Sequence, residues 1–286
     1  MRNDAQVQEA ARYLFEGLVP ERKSELLDLW THYSLRFNIM TDAGPDGLFV
    51  FDAGAYRDVR FNHRAMRAFW LASFIAWEGY RAVAEGYESN SIDLTRFHEM
   101  AETFAKVLKE DDPEAVALPE GIPEPGAYPD GKSSPQMRAA AELATFATGW
   151  ALLHEVRHLK HQQDGTGAAI GDPPEKWRAE EMSCDNYATK FLLDEVDAYA
   201  LAEDVPAEKV RQKREIGIYF ALFAMTLIGA GHWTESDSHP AMEARIDAVM
   251  KEMGSDGTRP SDAIAHMAFV ALWTVWPDAP GPFKTQ

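Results

Sequence analysis

The chain has 286 residues, 46% of them apolar and 26% charged, which suits one sizeable core and excludes a wholly disordered protein. Its net charge of −18 repels phosphate backbones, and no run of five like charges offsets that, so nucleic acid is not an expected partner. The single cysteine, Cys184, rules out an intrachain disulfide and a cysteine-rich zinc knuckle. The opening Met1-Arg2-Asn3-Asp4 continues polar without an apolar signal core, so the expected compartment is the cytoplasm.

Val7, Ala10, Ala11, Leu14 and Leu18 recur at helical spacing, and after Pro20 a second helix is expected over Glu21–Trp30. From Ser34 to Asn62 the pattern changes to short runs, Leu35–Met40, Leu48–Asp52 and Val59–Asn62. The separators Asp42-Ala43-Gly44-Pro45-Asp46-Gly47 and Asp52-Ala53-Gly54 are turn chemistry, which predicts a small antiparallel sheet. Arg64–Glu88 then carries Phe69, Trp70, Phe74, Trp77 and Tyr80 as a broad core-facing stripe. Ile92–Leu108 reads as a helix capped by Ser91.

Six prolines and three glycines between Asp112 and Pro135 mark a long surface loop within one domain, or else a domain boundary. Helices are expected over Gln136–Gln163, Lys176–Leu201, Ala207–Ile228, Pro240–Met253 and Ser261–Trp276. Ile216 to Thr234 contains no Lys, Arg, Asp or Glu. It is diluted by Gly217, Thr226, Gly229, Gly231 and His232, which favours a buried core helix over a membrane-embedded one. The fold class expected is α+β and predominantly α-helical.

The helix from Gln136 contains His154-Glu155-Val156-Arg157-His158. On a helix the two histidines stand one turn apart on one face, so both imidazoles can reach one metal ion. Glu155 lies about 100° round, where it can take a proton from water without displacing it from the metal. This spacing suits a zinc site that cleaves a polarised carbonyl. A catalytic zinc needs a third protein ligand and one open position. Asp164 and His161 are poor candidates: no glycine stands at 161 to turn the chain, and three imidazoles on one straight helix converge badly.

Glu181 and Asp185, spaced i,i+4 on the next helix, are better placed. Cys184, Ala188, Phe191 and Leu192 make that face apolar, so its carboxylates need a metal or a partner. Glu181 is the expected ligand, with Asp185 accepting the free N–H of a ligating imidazole. Glu180 is the alternative if the helical phase is off by one residue. Cys184 reads as a small buried hydrophobe rather than a further ligand. In Ser238-His239-Pro240, Pro240 suits a first helical turn, leaving His239 to donate to an oxyanion or simply to cap the helix. Arg245 can pair with Asp185 or Glu181.

Together, His-Glu-x-x-His, Glu-x-x-Cys-Asp and Ser-His-Pro followed by Arg245-Ile246 resemble the gluzincin arrangement of HtpX-like and CAAX-prenyl-type metallopeptidases. With a helix-rich chain of this size they resemble more closely the Lit family of phage-exclusion peptidases, over Trp150 to Ile246. The resemblance implies a zincin-like single domain and zinc-dependent endopeptidase activity, with His154, His158 and Glu181 as zinc ligands and Glu155 as base. It also implies a host protein as substrate, a translation elongation factor being the analogy. Cys184 stands where alanine is usual in gluzincins. The competing reading is a zincin-fold metal-binding or interaction protein of a defence or toxin system that does not cleave. An edge strand to hold the substrate backbone would have to be Leu48–Asp52 or Val59–Asn62.

Overall fold

The computed structural model describes residues 4–42 and 49–284. Two helices, α1 (Asp4–Glu16) and α2 (Lys23–His32), lead into three short strands, β1 (Arg36–Ile39), β2 (Phe51–Ala53) and β3 (Asp58–Phe61). Six of the eight helices that follow α2 differ little from their expected positions: α3 (His63–Ser89), α4 (Thr95–Lys109), α5 (Pro135–Asp164), α8 (Ala207–Ile228), α9 (Met242–Met253) and α10 (Pro260–Val275). The other two, α6 (Pro174–Leu193) and α7 (Val196–Glu203), stand in place of the single helix expected over Lys176–Leu201. The α+β, predominantly helical class is thus observed.

The sheet is mixed rather than antiparallel. Its order is β1-β3-β2, with β3 parallel to β1 (Arg36 opposite Asp58) and antiparallel to β2 (Phe51 opposite Phe61). Turn residues locate reversals of the chain but not which strands become neighbours. The long connection from β1 to β3 lets β3 insert between the other two, as a parallel pair requires. The expected turn at 42–47, beyond its first residue Asp42, and the start of the Leu48–Asp52 run lie outside the described residues. The turn after Ala53 is present, closed by Gly54 N–H on the Asp58 carbonyl at 2.6 Å.

Three boundaries moved for identifiable reasons. Lys176–Leu201 is broken into α6 and α7 at Asp194–Glu195. The carbonyls of Phe191 and Leu192, which would serve a continuing helix, are taken instead by Arg22 (3.1 Å) and Arg214 (2.8 Å). Helix α4 begins at Thr95, where the Asp93 carboxylate accepts the Thr95 N–H at 2.9 Å, so Ser91 is not its cap. Helix α9 begins at Met242, and Pro240 belongs to the preceding loop.

Helix α3 forms the hub. Its cap Asn62 accepts the Ala65 N–H at 2.9 Å, and its 27 residues pack against α10, α4, α8 and α5. The proline-rich segment lies over α3 and α4: Trp70 donates to the Pro123 carbonyl at 2.8 Å and Arg96 to that of Glu120 at 2.9 Å. Helix α8 is buried from Ile216 to Leu227 between α5, α3 and α10, and no described helix is long and apolar enough to cross a membrane. It approaches α5 so closely that a Cβ at Gly217 would collide with Phe146. On its other flank α5 packs along α6, and this pairing positions the site.

Candidate functional site

Helix α5 is apolar where it enters the core, with Ala144, Ala147, Trp150, Ala151 and Leu152 buried. Beyond Trp150 the same helix forms the floor of an open cleft of about 1240 Å³. His154, Glu155 and His158 line that floor, together with Glu180 and Glu181 of α6, His239, and Arg245 of α9. Phe51, Trp150, Trp177, Met225, Ile228 and Trp233 make its walls largely apolar. Strand β2, the outer strand nearest the cleft, contributes Phe51, Asp52 and Ala53 to the rim, whereas β3 is central in the sheet.

The histidines turn their Nε2 atoms toward one another, 3.2 Å apart. The Glu181 carboxylate straddles them, Oε2 lying 3.3 Å from His154 Nε2 and Oε1 3.2 Å from His158 Nε2. Both rings are held from behind. His154 Nδ1 lies 2.9 Å from Asp185 Oδ1, and His158 Nδ1 lies 2.7 Å from Glu180 Oε1. Asp185 is itself gripped by Arg245, Nε to Oδ2 at 2.8 Å and Nη2 to Oδ1 at 2.7 Å. The second oxygen of Glu180 accepts the Ala168 N–H from the loop after α5. An Nδ1–H donated to a carboxylate leaves Nε2 as the lone-pair nitrogen, so both lone pairs face the same small volume.

Cys184, one turn from Glu180 and fully buried, also faces this volume. The ligand atoms of His154, His158 and Cys184 lie within 4.8 Å of one another, a group able to hold a metal ion. Burial pushes the Cys184 thiol up to about 12, against the pull of His158. Burial opposes a charge on His154, but Asp185 and Glu181 outweigh it and lift the imidazole to about 9. His158 is raised well above the ordinary histidine range, burial being outweighed by its contacts with Cys184, Glu180 and Glu181. Glu181 is driven far below the carboxylate range: burial works against its charge, and His154 and His158 more than compensate. Glu155 shifts the other way, raised chiefly by burial. Asp185, Glu181 and Glu155 thus act on one guanidinium, Arg245, and Glu180 on His158, so four carboxyl groups share the site, a field that attracts cations.

The residues singled out by sequence are therefore brought together, with two exceptions. His161 bonds Thr166 Oγ1 at 2.8 Å and Ser183 Oγ at 3.1 Å, and Asp164 sits exposed at the end of α5 before Gly165, whose left-handed φ of 67° ends the helix. His239 comes within reach from the loop before α9, Nε2 3.6 Å from Glu181 Oε1, with 57% of its side chain exposed. Glu180, in sequence only the alternative to Glu181, stands instead behind His158. The available signal is its i,i+4 spacing to Cys184, one turn along the same helix.

The protein-family model Peptidase U49 matches residues 59–268, which span β3 to α10 and include every residue named in this cluster. The chain belongs to the Peptidase U49 family. It is accordingly a peptidase, and the likeness to Lit-type peptidases read from the motifs is met at the level of the family. No curated protein and no solved structure matches this U49 peptidase.

Proposed function

We propose that this U49 peptidase is a zinc-dependent endopeptidase, with His154, His158 and Glu181 as metal ligands. The observation that carries the reading is the set of three donor separations, 3.2, 3.2 and 3.3 Å. Zinc–nitrogen and zinc–oxygen distances of about 2.0–2.1 Å separate two donors of a tetrahedron by about 3.3 Å. Neutral imidazoles with inward Nε2 lone pairs and a carboxylate are the donor chemistry zinc prefers, and the side facing the cleft stays open. When bound, zinc supplies Lewis-acid polarisation of a peptide carbonyl and acidifies water.

The chain's own groups do the rest. Glu155, next to His154 on the cleft floor, accepts the proton of the attacking water and returns it to the leaving amine. His239 donates to the oxygen that gains charge as the carbonyl is attacked. Asp185 and Glu180 fix the tautomers of His154 and His158, and Arg245 keeps Asp185 ionised and in place. An extended substrate segment pairs with the outer edge of β2 and lays its side chains along the apolar walls. The Lit-type kinship supports a host protein, by analogy a translation factor, as substrate, and a cytoplasmic role in phage exclusion.

The reading is tested by metal analysis of the purified chain beside a His154→Ala, His158→Ala double variant. Wild type is expected to hold about one zinc per chain and the variant none. Equal, negligible zinc in both overturns the proposal.

A further inference from the structure

Helix α5 carries a buried histidine, His161, to which the proposed chemistry gives no task. Both of its ring nitrogens are occupied. Nδ1 lies 2.8 Å from Thr166 Oγ1 on the loop after α5, and Nε2 lies 3.1 Å from Ser183 Oγ on α6. Burial, with the nearby Arg157 cation, holds the imidazole below the ordinary histidine range and favours the neutral ring. A neutral ring has one donor and one acceptor nitrogen, and a hydroxyl can meet either, so both bonds form at once. The His161 carbonyl also accepts the Thr166 and Gly167 N–H groups, at 2.9 and 3.1 Å. One residue thus holds the start of the loop by backbone and side chain and ties it to α6.

The two hydroxyl partners bracket Glu180. Thr166 stands just before Ala168, whose N–H meets Glu180 Oε2, and Ser183 follows Glu180 by almost one turn of α6. Glu180 Oε1 in turn holds His158 Nδ1 at 2.7 Å. Burial works against the charge of this carboxylate, while His158 and the Ala168 N–H offset it, so the loss of either donor is costly. Gly167 lets the loop pass this close: a Cβ there would lie 3.2 Å from Glu180 Oε2 and 3.4 Å from His161 Cβ. Farther along, Ala169 and Asp172 bond each other at 2.8 and 2.9 Å.

We propose that His161 is a positioning residue of the metal site. By clamping Thr166 and Ser183 it holds the Ala168 N–H on Glu180 and, through Glu180, the aim of the His158 imidazole. The inference rests on the reading of His158 as a metal ligand. A histidine that merely closed the end of α5 would affect stability and leave His158 undisturbed.

Two measurements test this, one without metal and one with it. In NMR spectra of the histidine rings of the metal-free chain, the His158 signals are expected to shift in Glu180→Ala. They should shift in the same direction in His161→Ala and Thr166→Val and return in Thr166→Ser, which restores the hydroxyl. In zinc competition with a chromophoric chelator, His161→Ala and Thr166→Val should each weaken binding by about three- to tenfold. Thr166→Val should add nothing in a Glu180→Ala background, because its effect passes through Glu180. His158 signals untouched by His161→Ala and Thr166→Val overturn the inference, as does a Thr166→Val loss fully additive to that of Glu180→Ala. If His161→Ala folds poorly, Thr166→Val, which keeps the side-chain shape, carries the test. A wild type that binds no zinc overturns the metal reading instead, and the ring signals still decide whether His161 positions His158.

Discussion

Two buried polar clusters in this chain are built from similar side chains and differ in one respect. At the α8–α10 contact, Glu215 accepts from Ser261 at 2.7 Å and from Arg259, while Asp262 accepts from Tyr219 (2.7 Å), Ser255 (2.8 Å) and the Gly257 N–H (3.0 Å). Every acceptor there has a donor from the fold itself. In the cluster around His154, by contrast, the fold settles only the outward side. Asp185 and Glu180 take the outward N–H groups, and the inward Nε2 atoms of two imidazoles and the Glu181 carboxylate crowd one small volume. Self-satisfied buried networks stabilise a fold. In the free chain the three groups stay together by keeping protons on the imidazoles, and a cation from outside takes the place of those protons.

The proposed base gives the largest effect on the cleft side of this comparison. Glu155→Gln retains zinc at wild-type stoichiometry and loses proteolysis by about 10²–10⁴-fold. A glutamine variant that cleaves as fast as wild type while holding its metal sinks the water-activation role. Asp185→Ala and Glu180→Ala each lower zinc affinity by about 10–100-fold, measured by competition with a chromophoric chelator. A Glu180 variant that binds like wild type removes it from the metal site.

Zinc binding also weakens as pH falls. In the metal-free chain His154 keeps its proton up to about 9 and His158 is raised as well, and the metal must displace both protons, so affinity climbs with pH through the neutral range. An affinity flat across the neutral range contradicts this. On the closed side, Asp262→Ala strips four donors (the Tyr219 and Ser255 hydroxyls and the Gly257 and Arg259 N–H groups) of their acceptor and costs about 1–3 kcal/mol in denaturant unfolding. Zinc content stays unchanged, and a loss of zinc would couple the two clusters. The smallest effect is expected at Cys184: cobalt-loaded wild type and Cys184→Ser give the same spectrum, without a sulfur-to-metal charge-transfer band. Such a band in wild type alone would make Cys184 a ligand.

What could be read in the sequence follows how local each feature is. His154, Glu155 and His158 share one turn of one helix, and Glu181 and Asp185 share another, so helical periodicity alone brought out both groups. Glu180 escaped because a neighbouring position on a helix is turned about 100° away. It reaches His158 only because the Ala168 N–H, on a loop no periodicity describes, holds its other oxygen. The sheet and the α6–α7 break depend on distant partners. Strand β3 inserts between β1 and β2, and Arg22 and Arg214 remove two carbonyls from a helix that composition alone would continue. Similarly, His239 lies farther ahead of its helix than Pro240 suggested, because the Met242 N–H is spent on the Trp233 carbonyl at 2.9 Å.

Helix α5 is a single uninterrupted rod of 30 residues whose first half fills the core and whose second half carries the histidines. Inheritance of the two halves is therefore linked. A substitution that reshapes packing around Ala144 or Ala147 tilts His154 and His158 as well, leaving little freedom for this helix to drift among descendants. The loops at 165–173 and 229–241 carry such a burden only at single positions, Thr166 and Ala168, whose bonds keep Glu180 in place, and His239. They border the same cleft with Ile170, fully exposed, and with Trp233, whose indole donates to the Thr226 carbonyl of α8 at 2.8 Å. Diversification of what the cleft accepts is open to those two segments while the rod beneath them stays fixed.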